Sequence, residues 1–521
     1  MSHLWKALKR VSRGTHPNSN IETATSLVEQ LRTRWARQGT STGARRERRR
    51  LMRRARKEWL RRFPRDAFPV QPANAPRVAP EDIWIVIPAL DSRAVAMAAA
   101  GVETRLLRRN KPDRKSLRGF IHDALGHQVR LHLAKAGTAV TPGKPRPAAA
   151  NNPRPPVASM EPLEQVGAVL MSGLTDNLRQ KLREAGASVL SNQEVHLITP
   201  INGRADRRSD GQAAGAEKTK FLVKYPPKPW HLDVINHPHA KARGLTGKGV
   251  KLGILDTGIN AQHPEFQGRA IRYREFDQLG GELSQIQAHD HHGHGSHVAA
   301  LAGGGIIGVA PKSELFVAAV LTKKVGSGAS GSLAQILAGL NWLIDEDVHL
   351  INMSLTLGDY PPGGPEASTK AKIENLIQTA VENSSILTIA ASGNDGSGVP
   401  GSVHSPAILP DVKGVGATDL ADQPADFSCW NGAGKPGIYA PGVDIISADG
   451  SSASYRKSSG TSMAAPLVAG AAALLLEKEY LASQSTTIID PHSLKSQLKN
   501  MTVPIVKSPR GSFYRLDLSG L

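Results

Sequence analysis

Apolar runs of four to eight residues alternate with helix-like segments from Trp230 to the end of the chain. Such continuous runs are typical of strands buried on both faces, and their alternation with helices indicates a parallel sheet covered on two sides. Residues 250–255 form one such run, and a long segment of small and apolar residues follows residue 460. The pattern predicts an α/β domain with a mostly parallel sheet and helices on both faces.

The sequence upstream of this domain divides into smaller pieces. An apolar run at residues 83–90 predicts a short strand, and a Pro/Ala-rich tract follows at residues 141–159. Beyond the tract, the pattern predicts a strand, a helix capped at Gly186 and a second strand. We expect six segments: a partly disordered basic arm with an amphipathic helix at 1–75, a small unit of unknown type at 76–136, a linker at 137–160, a β-α-β unit at 161–200, an exposed linker and candidate processing segment at 201–225, and the α/β domain at 226–521.

The basic arm carries most of the net charge. Residues 1–70 contain 19 basic and 5 acidic side chains, a net +14 out of +20 for the whole chain. Within residues 44–63, one helical stripe is apolar and consists of Leu51, Ala55, Trp59 and Phe63. Such a helix fits nucleic acid, an acidic membrane surface or a protein partner, and it equally fits a solvated charged arm.

Cysteine content and hydropathy bear on the compartment. Cys429 is the only cysteine, so no internal disulfide can form. Residues 1–40 lack the apolar core of a secretion signal, and no apolar stretch approaches the roughly 18 residues of a membrane span. These features predict a cytoplasmic protein.

Three polar residues occupy positions suited to catalysis. Asp256 follows the apolar run at residues 250–255, and the carboxyl ends of parallel strands face the ligand crevice of α/β enzymes. His294 lies in the run HDHHGHGSH, and Ser462 opens a long apolar helix. Taken singly, each has another interpretation: an Asp that caps a helix, a His-rich run that binds a transition metal or merely starts a helix, and an N-capping Ser.

The three motifs together, in the order Asp, His, Ser, resemble the subtilisin-like serine proteases. The resemblance runs from about Trp230 to the C-terminus and implies the three-layer subtilisin-like fold. It implies that Ser462 is the nucleophile, His294 the general base and acid, and Asp256 the group that orients His294. The activity implied is that of a serine endopeptidase that hydrolyses peptide bonds through an acyl-enzyme intermediate.

Other segments extend the resemblance to the oxyanion and substrate sites. Asn394, in TIAASGNDG, is implied to donate its side-chain amide to the tetrahedral intermediate. The resemblance implies two substrate-binding walls, formed by Ser354, Leu355 and Thr356 on one side and by Gly326, Ser327 and Gly328 on the other. A substrate peptide is then expected to bind as an added strand between them.

The β-α-β unit resembles the end of the inhibitory propeptides that precede such domains, which implies a zymogen with an intramolecular propeptide. An unrelated small domain is the alternative. The chain departs from the family pattern at a metal site. The connection at Gly304–Ile307 leaves no room for the calcium-binding loop that is frequent in the family. Glu265 nevertheless stands where an acidic ligand of that loop often lies. We therefore predict no metal site and no required cofactor.

A second hypothesis is a catalytically silent scaffold with the protease fold, tethered to nucleic acid or membrane by the basic arm. A scaffold has no reason to retain the residue types of the relay and of the oxyanion site. The sequence therefore favours the endopeptidase.

Overall fold

A computed structural model describes residues 80–88, 114–125, 130–133, 157–198, 222–223, 229–283, 286–326, 328–357, 367–396, 403–432, 434–483, 491–508 and 511–521. The predicted basic arm with its helix at 44–63, residues 201–221 of the predicted processing segment, and Ser327 lie outside the described residues.

The strands are, in chain order, β1 Trp84–Ile87, β2 Arg130–Leu133, β3 Val157–Leu163, β4 Ala168–Ser172, β5 Ser188–Ser191, β6 Glu194–Leu197, β7 Leu222–Val223, β8 Lys251–Asp256, β9 Ile271–Phe276, β10 Glu282–Leu283, β11 Glu314–Ala319, β12 Lys323–Val325, β13 Gly328–Ser332, β14 Leu350–Met353, β15 Leu355–Thr356, β16 Leu387–Ala391, β17 Val412–Thr418, β18 Ile438–Pro441, β19 Ile445–Ala448, β20 Tyr455–Ser458, β21 Thr502–Ser508 and β22 Gly511–Leu516. The helices are α1 Arg114–Leu125, α2 Asp176–Glu184, α3 Trp230–Val234, α4 His237–Ala242, α5 His294–Gly303, α6 Leu333–Asp345, α7 Ala367–Asn383, α8 Thr461–Ser483 and α9 Pro491–Asn500.

Ten strands form the large sheet, in the order β10-β9-β11-β8-β14-β16-β17-β18-β22-β21. The eight strands from β9 to β22 pair in parallel, and only the outer pairs β10-β9 and β21-β22 are antiparallel. One face of this sheet packs on α5 and α8, and the other packs on α6 and α7. The predicted α/β class, with a mostly parallel sheet between helical layers, is confirmed.

The N-terminal sheet has five strands in the order β2-β3-β4-β1-β5. Strands β4 and β5 flank β1, which pairs antiparallel with both. Alternate side chains along these strands are buried on opposite faces of the sheet. Val86 and Val169 pack beneath α1 and α2, whereas Ile85 and Leu170 belong to the core of the large domain. Both faces of the sheet are therefore covered.

The N-terminal sheet corrects two of the predicted boundaries. The small unit at 76–136 and the β-α-β unit at 161–200 are not separate, since β1 from the former lies between β4 and β5 of the latter. Strands β4 and β5, which α2 connects, are parallel and stand one strand apart, and β1 fills the gap between them. In addition, β3 begins at Val157, inside the predicted linker at 137–160.

Two smaller sheets complete the architecture. One has the order β12-β13-β6-β15 and the other has the order β19-β20-β7. Among the helices described, none combines the length and the apolar character that crossing a membrane requires.

Candidate active site

The end of β8 and the start of α5 bring an aspartate and a histidine together. Asp256 is the last residue of β8 and His294 is the first residue of α5. His294 Nδ1 lies 2.8 Å from Asp256 Oδ1 and 3.0 Å from Oδ2, and both side chains are fully buried. The backbone N–H of Thr257 donates to Oδ1 at 2.7 Å. Because a carboxylate can only accept here, Nδ1 carries the proton and Nε2 is left as the basic nitrogen.

Asp290 holds the start of α5 in place. Its Oδ2 accepts hydrogen bonds from the backbone and hydroxyl of Ser296, at 2.7 and 2.6 Å, and its Oδ1 accepts from Gly293 N and Thr257 Oγ1. Burial alone would raise the pKa of Asp290, but these donors outweigh it and lower the pKa. The carboxylate therefore ties the first turn of α5 to the residue that follows Asp256.

Glycine is required where α5 passes β8. A Cβ on Gly295 would stand 2.1 Å from the carbonyl oxygen of Gly258, and one on Gly258 would stand 2.2 Å from that of His289. Gly258 also has a φ of +117°, a region that disfavours residues with a Cβ. This close approach is what allows the Asp256 and His294 side chains to meet.

Ser462 is the second residue of α8 and is fully buried. Neither Ser462 Oγ nor His294 Nε2 has a hydrogen-bond partner among the described residues. The carbonyl oxygen of Ser462 accepts a 3.2 Å hydrogen bond from Ser354 Oγ, which in turn accepts from Asn352 Nδ2 at 3.0 Å. The backbone at the start of α8 is thereby anchored to the end of β14, while the Ser462 hydroxyl stays available.

Asn394 lies just beyond β16 and is oriented by Thr461. The N–H and the hydroxyl of Thr461 lie 2.8 and 2.9 Å from Asn394 Oδ1. Since a backbone N–H can only donate, this contact assigns the oxygen of the amide and places Nδ2 on its other side. A Cβ on Gly460 would come within 2.8 Å of Nδ2, so the amide group lies against the backbone two residues before Ser462.

The place between the two predicted substrate walls holds β6 of this same chain. Within β6, His196 pairs with Ser330 of β13, and Leu197 pairs with Leu355 of β15, both antiparallel. Ile198 follows β6 and is 4% exposed, in contact with the core of the catalytic domain. The N-terminal sheet is therefore connected to the large domain by a strand that lies between β13 and β15.

The structure distributes the predicted wall residues differently. Leu355 and Thr356 form β15 and pair with β6, whereas Ser354 precedes that pairing and contacts the backbone of Ser462. On the opposite side, β6 pairs with residues 330–332 and not with the predicted glycine segment. Gly326 lies at the turn between β12 and β13, and Gly328 pairs with Val325 across that hairpin.

Two residues considered for metal binding are held by protein contacts. Glu265 is fully buried, with one oxygen accepting from the N–H groups of Ile306 and Ile307 and the other from Tyr455. His297 is also fully buried, and burial first, then the charge of Arg456, holds its pKa well below the ordinary value. The predicted absence of a required cofactor stays a prediction.

Asp290 and Thr461 are supporting residues that the sequence analysis did not single out. Each lies within four residues of a proposed relay residue, Asp290 in HDHHGH and Thr461 in SGTSM. An Asp shortly before a helix of small residues is a signal for N-terminal capping. That signal was present in the His-rich run and could have identified Asp290.

Comparison with known proteins gives the family. The sequence model of the subtilase family matches residues 247–509. Subtilisin Savinase of Lederbergia lenta is 40% identical over 255 residues, which cover 48% of this chain and 84% of that protein. The major intracellular serine protease of Bacillus subtilis strain 168 is 34% identical over 285 residues, which cover 53% and 83%. A cold adapted subtilisin-like serine proteinase of known crystal structure is 28% identical, with a TM-score of 0.43 over 52% of this chain and 90% of that one.

The chain belongs to the subtilase family. It is a subtilisin-like serine endopeptidase, and its substrates are peptides or proteins.

Proposed function

We propose that Ser462, His294 and Asp256 form the catalytic relay of this endopeptidase and that Asn394 stabilises the oxyanion. The observation that carries the proposal is the buried His294–Asp256 contact. It fixes the ring proton on Nδ1, and Nε2 has no hydrogen-bond partner among the described residues. Burying an imidazole nitrogen whose lone pair has no hydrogen-bond donor destabilises the folded chain. We infer that this lone pair is kept to accept the proton of the Ser462 hydroxyl.

The proposed reaction gives each of these four residues a role. His294 Nε2 removes the proton of Ser462 as its Oγ attacks the peptide carbonyl carbon, and Asp256 stabilises the resulting imidazolium. Asn394 Nδ2 donates to the developing oxyanion, a contribution of about 3–4 kcal/mol at such sites. His294 then protonates the leaving amine, and water, activated by the same nitrogen, hydrolyses the acyl-enzyme.

We further propose that the chain is made as a zymogen in which β6 blocks the substrate site. Supporting this proposal, β6 completes backbone pairing with both β13 and β15, which is how an added peptide strand is held. Ser330 Oγ and Lys323 Nζ also contact Glu194 Oε1, at 2.5 and 3.1 Å. A substrate peptide must displace β6 to gain the same pairing.

Labelling with a fluorophosphonate probe tests the relay. The full-length chain, incubated with limited trypsin to cut between the N-terminal sheet and the catalytic domain, is expected to acquire one probe per molecule. Ser462→Ala is expected to acquire none, and Ser451→Ala, on an exposed turn, is expected to label like the wild type. Labelling of Ser462→Ala at the wild-type rate would refute the assignment of the nucleophile.

A pair of substitutions in β6 tests the blocking strand. Val195 is 1% exposed and its neighbour His196 is exposed, because alternate residues of a strand face opposite sides. Labelling is timed from the addition of the fluorophosphonate probe, and the lag is the interval before labelling begins. Val195→Asp places a charge in the core and is expected to shorten this lag at least tenfold, whereas His196→Asp is expected to leave it unchanged. Equal lags for wild type and Val195→Asp, measured with intact mass, would contradict blocking by β6.

A further inference from the structure

A glutamate and two histidines meet beside the relay without taking part in it. Glu275 lies near the end of β9 and is 5% exposed. His291 Nε2 lies 3.0 Å from its Oε1, and His289 Nε2 lies 3.5 Å from its Oε2. The three ligand atoms are all within 4.8 Å of one another. Both histidines belong to the His-rich run of the sequence, but neither is the proposed base.

The arrangement of these groups favours a bound cation. His289 Nδ1 lies 3.0 Å from the carbonyl oxygen of Gln287, an acceptor, so Nδ1 carries the ring proton. In the neutral ring, the lone pair of Nε2 then faces a carboxylate oxygen. His291 Nε2 is buried and lies 3.0 Å from Glu275 Oε1, so a second imidazole nitrogen faces the carboxylate. Two imidazole nitrogens and two carboxylate oxygens thus converge on a region that a cation would satisfy.

We propose that Glu275, His289 and His291 bind a divalent first-row transition metal, with Zn²⁺ as the ion that the donor set favours. Two imidazole nitrogens and one carboxylate are a common ligand set of zinc, with bonds of about 2.0–2.2 Å. Ligand atoms at that distance from a tetrahedral ion stand roughly 3.4 Å apart, and the two nitrogen–carboxylate separations here are 3.0 and 3.5 Å, each to a different oxygen of Glu275.

The surroundings of the three side chains are those of a supported metal site. The His289 ring donates its other N–H to the Gln287 carbonyl, and Tyr273 OH donates to Glu275 Oε2 at 2.9 Å. Such contacts orient metal ligands and select the tautomer that binds. The structure contains both contacts, from the His289 ring and from Tyr273 OH.

The metal would connect β9 to the loop that positions the base. His291 N donates to the carbonyl oxygen of Thr257, and Ile259 N donates to that of His289. Asp290, between the two histidines, caps the helix that begins at His294. Bound metal would therefore stabilise the backbone around Asp256 and His294 and would leave the relay atoms free of metal contact.

The test uses the full-length, tag-free Ser462→Ala chain, because the substitution prevents self-digestion during titration. Co²⁺ is expected to bind with visible d–d bands of a four-coordinate site, and Zn²⁺ is expected to displace it with one high-affinity ion per chain by calorimetry. Glu275→Gln and His289→Ala are each expected to weaken Zn²⁺ binding at least tenfold. His292→Ala, in the same run but outside the group, is the matched control.

Thermal unfolding provides a second readout. A fixed excess of Zn²⁺ is expected to raise the Tm of the parent and of His292→Ala by similar amounts, and to raise that of His289→Ala by less. Equal Zn²⁺ affinity in the parent and His289→Ala would place the ion elsewhere and overturn the proposal. Absence of stoichiometric binding in the parent would also overturn it and would leave the group as a plain His–Glu ion pair.

Discussion

Replacing His294 by alanine is expected to lower kcat for peptide hydrolysis by about a millionfold, which is the loss seen when the corresponding base is removed from a subtilisin. The reason lies in the buried contact with Asp256, since Nε2 is the nitrogen left to accept the proton of Ser462. Without the imidazole, only water is left to accept the proton of the Ser462 hydroxyl, and water is a far weaker base. The rate is measured on a chromogenic peptide after limited trypsin treatment and removal of trypsin by an immobilised inhibitor.

His239→Ala is the control for this prediction, because His239 is an exposed residue of α4. It is expected to keep wild-type kcat. Thermal unfolding of the His294→Ala chain shows whether loss of the buried imidazole has also lowered the stability of the folded chain. A folded His294→Ala enzyme that retains more than a tenth of wild-type activity would exclude His294 as the base.

The proposed relay residues each stand next to a local signal in the sequence. Asp256 ends an apolar run, and parallel strands expose their carboxyl ends at one edge of the sheet. His294 and Ser462 begin helices of small residues, which approach the sheet closely enough to bring the two side chains to that edge. Order along the chain and local pattern therefore single out these positions as candidates, while the 2.8 Å contact between Asp256 and His294 needed the structure.

The position of β6 could not be predicted from local pattern. Residues 194–197 alternate like any half-buried strand, and nothing near them in sequence indicates that their partners lie at residues 330–332 and 355–356. The glycine segment is implied as a substrate wall by the family resemblance alone. In the structure Gly326 lies at the turn of the β12-β13 hairpin, Gly328 pairs with Val325, and the residues that pair with β6 come after Gly328. Register between distant strands depends on tertiary packing, which the sequence pattern does not encode.

The contacts around Glu275 show a similar limit. The His-rich run suggested metal binding by residue type, but it could not tell which histidines point together. His294 turns towards Asp256, whereas His289 and His291 turn towards β9. Asp290 accepts hydrogen bonds from Gly293 N and Ser296 N at the start of α5, while the histidines on either side of Asp290 face Glu275. One run of sequence thereby contributes to two different sites.

Asp256→Asn is expected to lower kcat by about ten-thousandfold while changing KM little. Thr257 N–H already donates to Oδ1, so the amide oxygen of the variant must remain there and its NH₂ group must take the place of Oδ2, 3.0 Å from His294 Nδ1. That NH₂ group cannot accept from Nδ1–H, so only the amide oxygen, 2.8 Å from Nδ1, still favours the Nδ1-protonated ring, and the NH₂ group promotes the tautomer with a proton on Nε2, which cannot accept the proton of Ser462. The substitution also removes the negative charge that stabilises the imidazolium.

KM is expected to stay near the wild-type value because the strands that would pair with a peptide, β13 and β15, do not contact Asp256 through any described hydrogen bond. Asp233→Asn, on the exposed side of α3, is the control and should leave both constants unchanged. Steady-state kinetics on the same peptide separate kcat from KM. A loss confined to KM would mean that Asp256 acts on substrate binding, and a loss below tenfold in kcat would mean that orientation of His294 does not depend on its charge.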